Sequence, residues 1–287
     1  MRTALISLSV ALLATMATAC GSGSEDSGRP TVSATTGILA DITEQVAGGD
    51  AAVEQVIPEG SSPHDFQLSA EDRASIEDSV LLVDNGAGLE AGLPVDEIDV
   101  PQFALSENVR DLLPDDPHVW MDPTRVAAAL PALADALAEA DPDHAAGYGS
   151  RAAAYAAELE TLDGELAATL AAVPEENREL VTSHDALGYF ADRHRFEVIG
   201  APFPASGAEA EASAARIKEV EDAVREAGVP AVFAEEEDDP EVLELIAEDT
   251  GVEIVKDLLV ESPAGAGGYV EMLRRDAELI AAALGQP

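Results

Sequence analysis

The chain is organised around the stretch Val181-Thr-Ser-His-Asp-Ala-Leu-Gly-Tyr-Phe-Ala-Asp-Arg-His194. The apolar pair at 180–181 indicates the end of a strand, and the apolar positions from 187 onward indicate a helix that we expect Asp185 to cap. His184 therefore lies at a strand-to-helix corner. Open α/β sheets bind ligands at such corners, at the carboxyl ends of strands. At this point a structural histidine held by hydrogen bonds is an equal alternative to a ligand.

Two further histidines occupy comparable positions in the first half of the chain. His64 closes the loop Pro58-Glu-Gly-Ser-Ser-Pro-His64, and His118 lies in Asp116-Pro-His-Val-Trp-Met-Asp-Pro123, before a long helical run. Three of the five histidines thus fall at loops or strand ends, and none of them falls on a helical apolar stripe. Neutral imidazole is the commonest metal ligand, and three imidazoles with one carboxylate make a tetrahedral site of the kind that zinc accepts.

The amino terminus has the pattern of an export signal. Residues 1–19 begin with a charged residue, continue with an apolar run too short to cross a bilayer, and end in small residues, so we expect a signal peptide. The only cysteine, Cys20, follows in a context that resembles a bacterial lipobox, which implies cleavage before Cys20 and lipid attachment to it. An ordinary signal peptide with an incidental cysteine is the alternative. Residues 20–29 predict a lipid-anchored flexible tether, and the predicted location is extracytoplasmic, anchored to the cell membrane as a lipoprotein.

Composition favours an exported globular protein. The chain has 287 residues and 47% hydrophobic content, which is enough for two domains of ordinary size. Its net charge of −42 comes without a basic patch that could neutralise phosphates, so nucleic acid is excluded as a partner. The charge would also concentrate cations near the surface. Because solubility explains the charge equally well, it carries no weight for metal binding.

Strand-like and helix-like segments alternate through both halves of the mature chain, which predicts an α/β fold with two doubly wound α/β lobes. The first lobe covers residues 30–141 and the second lobe covers 174–287. Between them, residues 142–173 predict a long, rigid connecting helix. Apolar residues recur in it at alternate steps of four and three, as on an amphipathic helix, and thirty helical residues would extend about 45 Å.

The motifs together resemble a known family. Besides the three histidine stretches, Asn85-Gly-Ala-Gly-Leu-Glu90 and Tyr269-Val-Glu-Met-Leu are similar to segments of the zinc/manganese substrate-binding lipoproteins of ABC importers, the metal-binding cluster A-I solute-binding proteins. The match is spread, in order, over nearly the whole mature chain. The resemblance implies that one metal ion is held between two lobes bridged by a rigid helix. It also implies delivery of this ion to a membrane permease and its ATPase, and we expect a monomer.

Carried over residue by residue, the resemblance places metal ligands at His64 and His118 in the first lobe and at His184 in the second. The fourth ligand of the family is usually an aspartate in a late loop. The matching stretch here is Leu258-Leu-Val-Glu-Ser-Pro263, which puts Glu261 at that position. The longer side chain leaves Asp257 and Glu235 as alternatives for the fourth ligand.

The ligand set favours Zn²⁺ over Mn²⁺, because imidazole suits zinc whereas manganese prefers oxygen ligands. Manganese-selective relatives resemble this chain except for a carboxylate at the position of His184. No enzymatic activity is expected, since the chain lacks a His-Glu-x-x-His motif and four protein ligands would close the site to water. A metal-binding surface adhesin or a metallochaperone not coupled to import is the alternative function.

Other residues near these motifs have simpler interpretations. We expect Trp120 to pack in the core and His194 to be solvated or a helix-end cation that favours the helix dipole. Three aspartates lie close to the proposed ligands in sequence, and any of them could orient an imidazole from behind: Asp65, Asp122 and Asp185.

Overall fold

The computed structural model describes residues 28–205, 213–236 and 240–285. The predicted signal peptide, Cys20 and most of the tether lie outside the described residues. Within them the chain forms two α/β lobes and one long joining helix, so the predicted fold class is confirmed. No helix in the described part of the chain combines the length and the apolar character needed to cross a bilayer.

The first lobe contains a parallel four-stranded sheet in the order β2-β1-β3-β4. Its strands are β1 Thr31–Ala34, β2 Ala52–Gln55, β3 Leu81–Asp84 and β4 Gln102–Ala104. Every residue of β3 is buried, as is typical of a parallel strand covered on both faces. Three helices accompany the sheet: α1 Gly37–Ala47, α2 Ala70–Glu77 and α3 Pro123–Ala140.

Side-chain caps fix where these helices begin. The Thr36 hydroxyl accepts a hydrogen bond from the amide of Leu39 at the start of α1. Ser69 and Asp72 form a reciprocal capping box at the start of α2. At α3, Asp122 accepts from the amide of Thr124, and a proline fills the first helical position, where its missing N–H costs nothing.

The joining helix α4 runs over Ala145–Leu170 and is 26 residues long, after a 3₁₀ turn at Pro142–His144. It packs along α3, α1 and the carboxy-terminal helix. The predicted apolar stripe is confirmed, because its members are all buried: Tyr148, Ala152, Tyr155, Leu159, Leu162 and Leu166. The helix is shorter than the predicted run of residues 142–173, and the carbonyl of its last residue, Leu170, accepts a hydrogen bond from Arg178.

The second lobe repeats the strand order of the first. Its strands are β5 Glu179–Val181, β6 Glu197–Gly200, β7 Ala231–Glu235 and β8 Glu253–Leu258. Two parallel pairs, β5-β6 and β7-β8, are joined by an isolated bridge between Thr182 and Phe233. The resulting order is β6-β5-β7-β8. Its helices are α5 Gly188–His194, α6 Ala214–Ala227, α7 Glu241–Thr250 and α8 Tyr269–Leu284.

Two local predictions were wrong. Asp185 does not cap α5, because the backbone folds into a turn first: the Ala186 amide bonds to the carbonyl of His184, and the helix begins at Gly188. His194 is not solvated. It is 6% exposed and packs against the ring of Phe190, and its burial lowers the pKa of the imidazole, which favours the neutral form.

The apolar residues of the described part form one large core, a smaller core in the second lobe, and a cluster of four buried residues in the first lobe, Ile76, Leu82, Ile98 and Val100. The large core runs through the first lobe, α4, α5 and α8. The smaller core lies between the second-lobe strands and α6 and α7, and its members include Val220, Val232 and Ile246. The second lobe is therefore attached to the rest of the molecule through its inner elements and has its own outer layer.

We expect Leu166→Ala to lower the free energy of unfolding by about 2–5 kcal/mol, because the side chain is fully buried and its removal leaves a cavity in the large core. Urea denaturation measures this change. Glu160→Ala, on the exposed face of the same helix, is the matched control and should stay within about 0.5 kcal/mol of the wild type. Equal costs for the two variants would contradict the buried stripe of α4.

Candidate metal centre

Four side chains converge where the two lobes meet. They belong to His64, His118, His184 and Glu261, and one potential ligand atom from each lies within 4.8 Å of all the others. Nε2 of His118 is 3.1 Å from Nε2 of His184 and 3.4 Å from Nε2 of His64. The same Nε2 atom of His64 is 3.1 Å from Oε1 of Glu261. Donors about 2.0–2.1 Å from a tetrahedral zinc ion lie roughly 3.3 Å from one another, so these three short separations are those of ligands that share one ion.

Each of the four side chains follows a strand of one of the two sheets. His64 comes after β2 and His118 after β4, whereas His184 follows β5 and Glu261 follows β8. Because all strands of a sheet are parallel, their carboxyl ends lie at one edge, where α/β proteins bind ligands. The two lobes turn these edges toward each other, and each contributes two of the four side chains.

Two carboxylates lie behind the histidines, the partly buried Asp116 and the buried Glu235. Oδ1 of Asp116 is 2.8 Å from Nδ1 of His118 and also accepts the backbone amide of that histidine. Oε2 of Glu235 is 2.9 Å from Nδ1 of His184. A carboxylate on Nδ1 holds a proton there, orients the ring and leaves the Nε2 lone pair free, which is the usual arrangement behind a metal-binding histidine.

Sequence reasoning missed Asp116 and gave Glu235 a different role. The signal for Asp116 was its place two residues before His118, close enough to bond both the ring and the amide of that residue. Glu235 contacts the far side of His184 and is not in the converging group. Asp257 is exposed, with a φ of 70°, and is also outside the group. Asp122 caps α3 and pairs with Arg125.

Burial controls the charges of His118 and Asp116. Full burial, together with the neighbouring His184 and His64, holds the pKa of His118 well below its usual value, so this imidazole is neutral at physiological pH. Burial also raises the pKa of Asp116 to about 7. When Asp116 is protonated it donates to Nδ1 and leaves the imidazole proton on Nε2; when it is ionised, the proton moves to Nδ1 and Nε2 can bind a cation.

A contact between the lobes supports Asp116. The hydroxyl of Tyr189 accepts the amide of Leu113 and donates to the carbonyl of Asp116, and the guanidinium of Arg125 lies over the tyrosine ring. Gly188 precedes this tyrosine, and a Cβ at that position would overlap Oδ2 of Asp116. A glycine is therefore required for the first-lobe loop to lie this close to α5.

The chain is similar to known metal-binding proteins over nearly its whole length. The sequence model of the family described as ZnuA, zinc-uptake complex component A periplasmic, matches residues 32–283. The manganese-binding lipoprotein MntA of Halalkalibacterium halodurans is 27% identical over 302 residues, which cover the whole of both chains. The iron-binding protein YfeA of Yersinia pestis is 30% identical over 291 residues, covering 96% of this chain and 93% of that protein.

A solved structure is similar over the same region. The periplasmic zinc-binding protein TroA from Treponema pallidum superposes with a TM-score of 0.84 at 29% sequence identity. The match covers 90% of this chain and 100% of that one. Both lobes and the joining helix therefore match a single solved protein, which is named as a zinc-binding protein.

We expect Gly188→Ala to weaken zinc binding about ten- to a hundredfold, the range found when a partner behind a metal ligand is disturbed. The added methyl group displaces the Asp116 carboxylate and with it the orientation of His118. Calorimetric titration measures the affinity. Gly164→Ala in α4, where an added Cβ meets nothing within 4 Å, is the control and should bind zinc as the wild type does. Equal zinc affinities of the two variants would show that Asp116 does not support metal binding by His118.

Proposed function

Because this chain belongs to the family of zinc-uptake complex component A periplasmic proteins, we propose that it captures Zn²⁺ between its two lobes and delivers it to the membrane permease of an ABC importer. The family consists of non-catalytic solute-binding proteins that bind metal for ABC import. The observation that carries the proposal is the convergence of His64, His118, His184 and Glu261 from two lobes. All four act as ligands of a single ion.

Zinc is favoured over manganese by the ligands and by what lies behind them. Three imidazole nitrogens and one carboxylate oxygen suit zinc, whereas manganese prefers oxygen ligands. Glu235 adds a second argument, because its buried carboxylate is 2.9 Å from Nδ1 of His184 and needs an N–H donor there. A carboxylate at position 184 would leave two acidic groups facing each other. Relatives named for manganese and for iron make Mn²⁺ and Fe the competing cargoes to test.

The architecture supports capture followed by hand-over with small movements. Each lobe supplies two ligands, so the ion binds fully only when the lobes hold their present distance. The helix α4 packs against α3, α1 and α8 along its length, which restricts the lobes to small tilts and local loop changes. The chain acts as a monomer attached to the membrane through lipid on Cys20. Its partners are the permease and the ATPase, and nucleic acid is not among them.

We expect the chelator-stripped protein that begins after Cys20 to bind one zinc ion tightly and to melt at a higher temperature when loaded. His184→Ala should lower the zinc affinity by more than about a hundredfold, since even partners behind a ligand are worth ten- to a hundredfold. Calorimetric titrations with zinc, manganese and ferrous iron measure both affinity and preference. His144→Ala removes an exposed histidine and is the control. No saturable binding of any of the three metals would end the proposal.

Zinc affinity should fall as the pH is lowered from about 7.5 to 5.5. Burial raises the pKa of Asp116 to about 7, so below that value the group is protonated in the metal-free protein and the His118 proton lies on Nε2. Binding must then release this proton, and affinity is lost as the pH falls. Titrations in buffers of different ionisation enthalpy measure the proton release, which Asp116→Asn should reduce. An affinity that stayed constant down to about pH 5, below the free histidine pKa, would contradict a three-histidine site.

A further inference from the structure

The loop that carries Glu261 leaves the second lobe but lies against the first. We define the Glu261 loop as residues 259–268, between β8 and α8. Glu261 and Ser262 line one small cavity together with first-lobe residues on the loops after β1 and β2. A Cβ on Gly37, at the start of α1, would lie 3.3 Å from Cδ of Pro263. The middle of the loop is therefore packed on first-lobe backbone.

Hydrogen bonds fix both ends of this loop to the first lobe. The indole Nε1–H of Trp120 donates to the carbonyl of Val260, at 2.7 Å. The carbonyl of Trp120 accepts the hydroxyl of Tyr269, and the amide of Tyr269 donates to Oδ2 of Asp41, at 3.1 Å. Trp120 is 2% exposed and Tyr269 is fully buried, so water does not compete for the first two of these bonds. The peptide that precedes Glu261 is thus held by a first-lobe side chain.

The corresponding bond to the second half of the chain does not reach the outer layer of the second lobe. The amide of Leu259 donates to Oδ1 of Asp276 on α8, and α8 itself packs against α4 and α1. The smaller core, which holds α6 and α7 on the strands, contains no residue of the Glu261 loop among the described residues. His184, in contrast, follows β5, whose last residue Val181 belongs to the smaller core. Its ring is also bonded to Glu235 at the end of β7.

We propose that Trp120 is a positioning residue that fixes Glu261 beside His64, so that three ligands belong to the first lobe mechanically and His184 alone moves with the second. The proposal rests on the metal-binding function proposed above. By position in the sequence, each lobe supplies two ligands. By their contacts, three ligands are held by the first lobe and one by the second. A tilt of the second-lobe sheet then removes one ligand from the ion and leaves the other three in place, which is a short route from tight binding to release.

A double-mutant cycle tests this division. Trp120→Phe keeps an aromatic ring but removes the N–H donor to Val260, and we expect about tenfold weaker zinc binding, mainly through faster dissociation. Glu261→Ala should also bind more weakly. If Trp120 acts through Glu261, adding Trp120→Phe to Glu261→Ala lowers the affinity no further. Chelator competition gives the affinities, and stopped-flow chelation gives the dissociation rates.

Two further variants separate positioning from general stability. Asn177→Ala removes a comparable hydrogen bond, from Nδ2 to the carbonyl of Leu284, far from the site, and should lower the melting temperature without changing zinc affinity. Tyr269→Phe removes the bond to the Trp120 carbonyl and repeats the test if Trp120→Phe does not fold.

The outcomes are distinguishable from failure of the proposed function. Wild-type protein that binds no zinc refutes the function itself. Wild-type protein that binds zinc while Trp120→Phe binds equally well refutes only the positioning role. Losses from Trp120→Phe and Glu261→Ala that add up also refute it, because the tryptophan would then act through His118, whose ring lies 5.2 Å from the indole, or through the fold at large.

Discussion

The close approach of three imidazole nitrogens is the constraint that the rest of the site satisfies. Nε2 of His118 lies within 3.4 Å of the same atom in both other histidines, in surroundings from which water is largely excluded. Protonated rings at that distance would repel strongly in a low-dielectric interior. The buried position of His118 keeps its pKa low, and the carboxylates of Asp116 and Glu235 hold protons on the far side of two rings. The Nε2 lone pairs of His118 and His184 therefore face each other, 3.1 Å apart, and are available to a cation.

Three of the few cations of this acidic chain hold backbone carbonyls where elements of the fold meet. Only 15 residues are lysine or arginine, against 57 acidic residues. Arg125 donates to the carbonyls of the loop before Asp116 and pairs with Asp192 of the second lobe. Arg151 donates to two carbonyls at the end of α1, and Arg178 joins the ends of α4 and α5. Each of these three guanidinium groups adds donors to helix-end or loop carbonyls, so the three arginines join elements at the places where they meet.

Sequence alone predicted the fold class and brought into one hypothesis the four side chains that converge in the structure, because local motifs carry them. His118 and His184 sit in stretches whose residue types are specific, and the stripe of α4 follows from spacing alone. The sequence could not show that the turn after His184 precludes capping by Asp185, since that turn depends on a bond from the Asp185 amide to the carbonyl of Phe203. The place of Asp116 two residues before His118 made it one candidate for the carboxylate behind that ring, but did not by itself exclude Asp65 or Asp122. Which carboxylate approaches a ring depends on packing between distant segments, here on Gly188.

The repeated strand order of the two lobes explains why the site can be both firm and openable. In each lobe the first strand lies between the second and the third. The order in which strands are added to the sheet therefore reverses beside the first strand, and this is the switch point where α/β sheets bind ligands. Two such edges facing each other would divide any ligand set evenly, and a tilt would then break half of the bonds at once. Trp120 alters that balance by tying the peptide before Glu261 to the first lobe. The first lobe then holds three ligands and the second lobe holds one. All four ligands contribute to the affinity of the resting protein, but only the bond to His184 must break for the ion to be released.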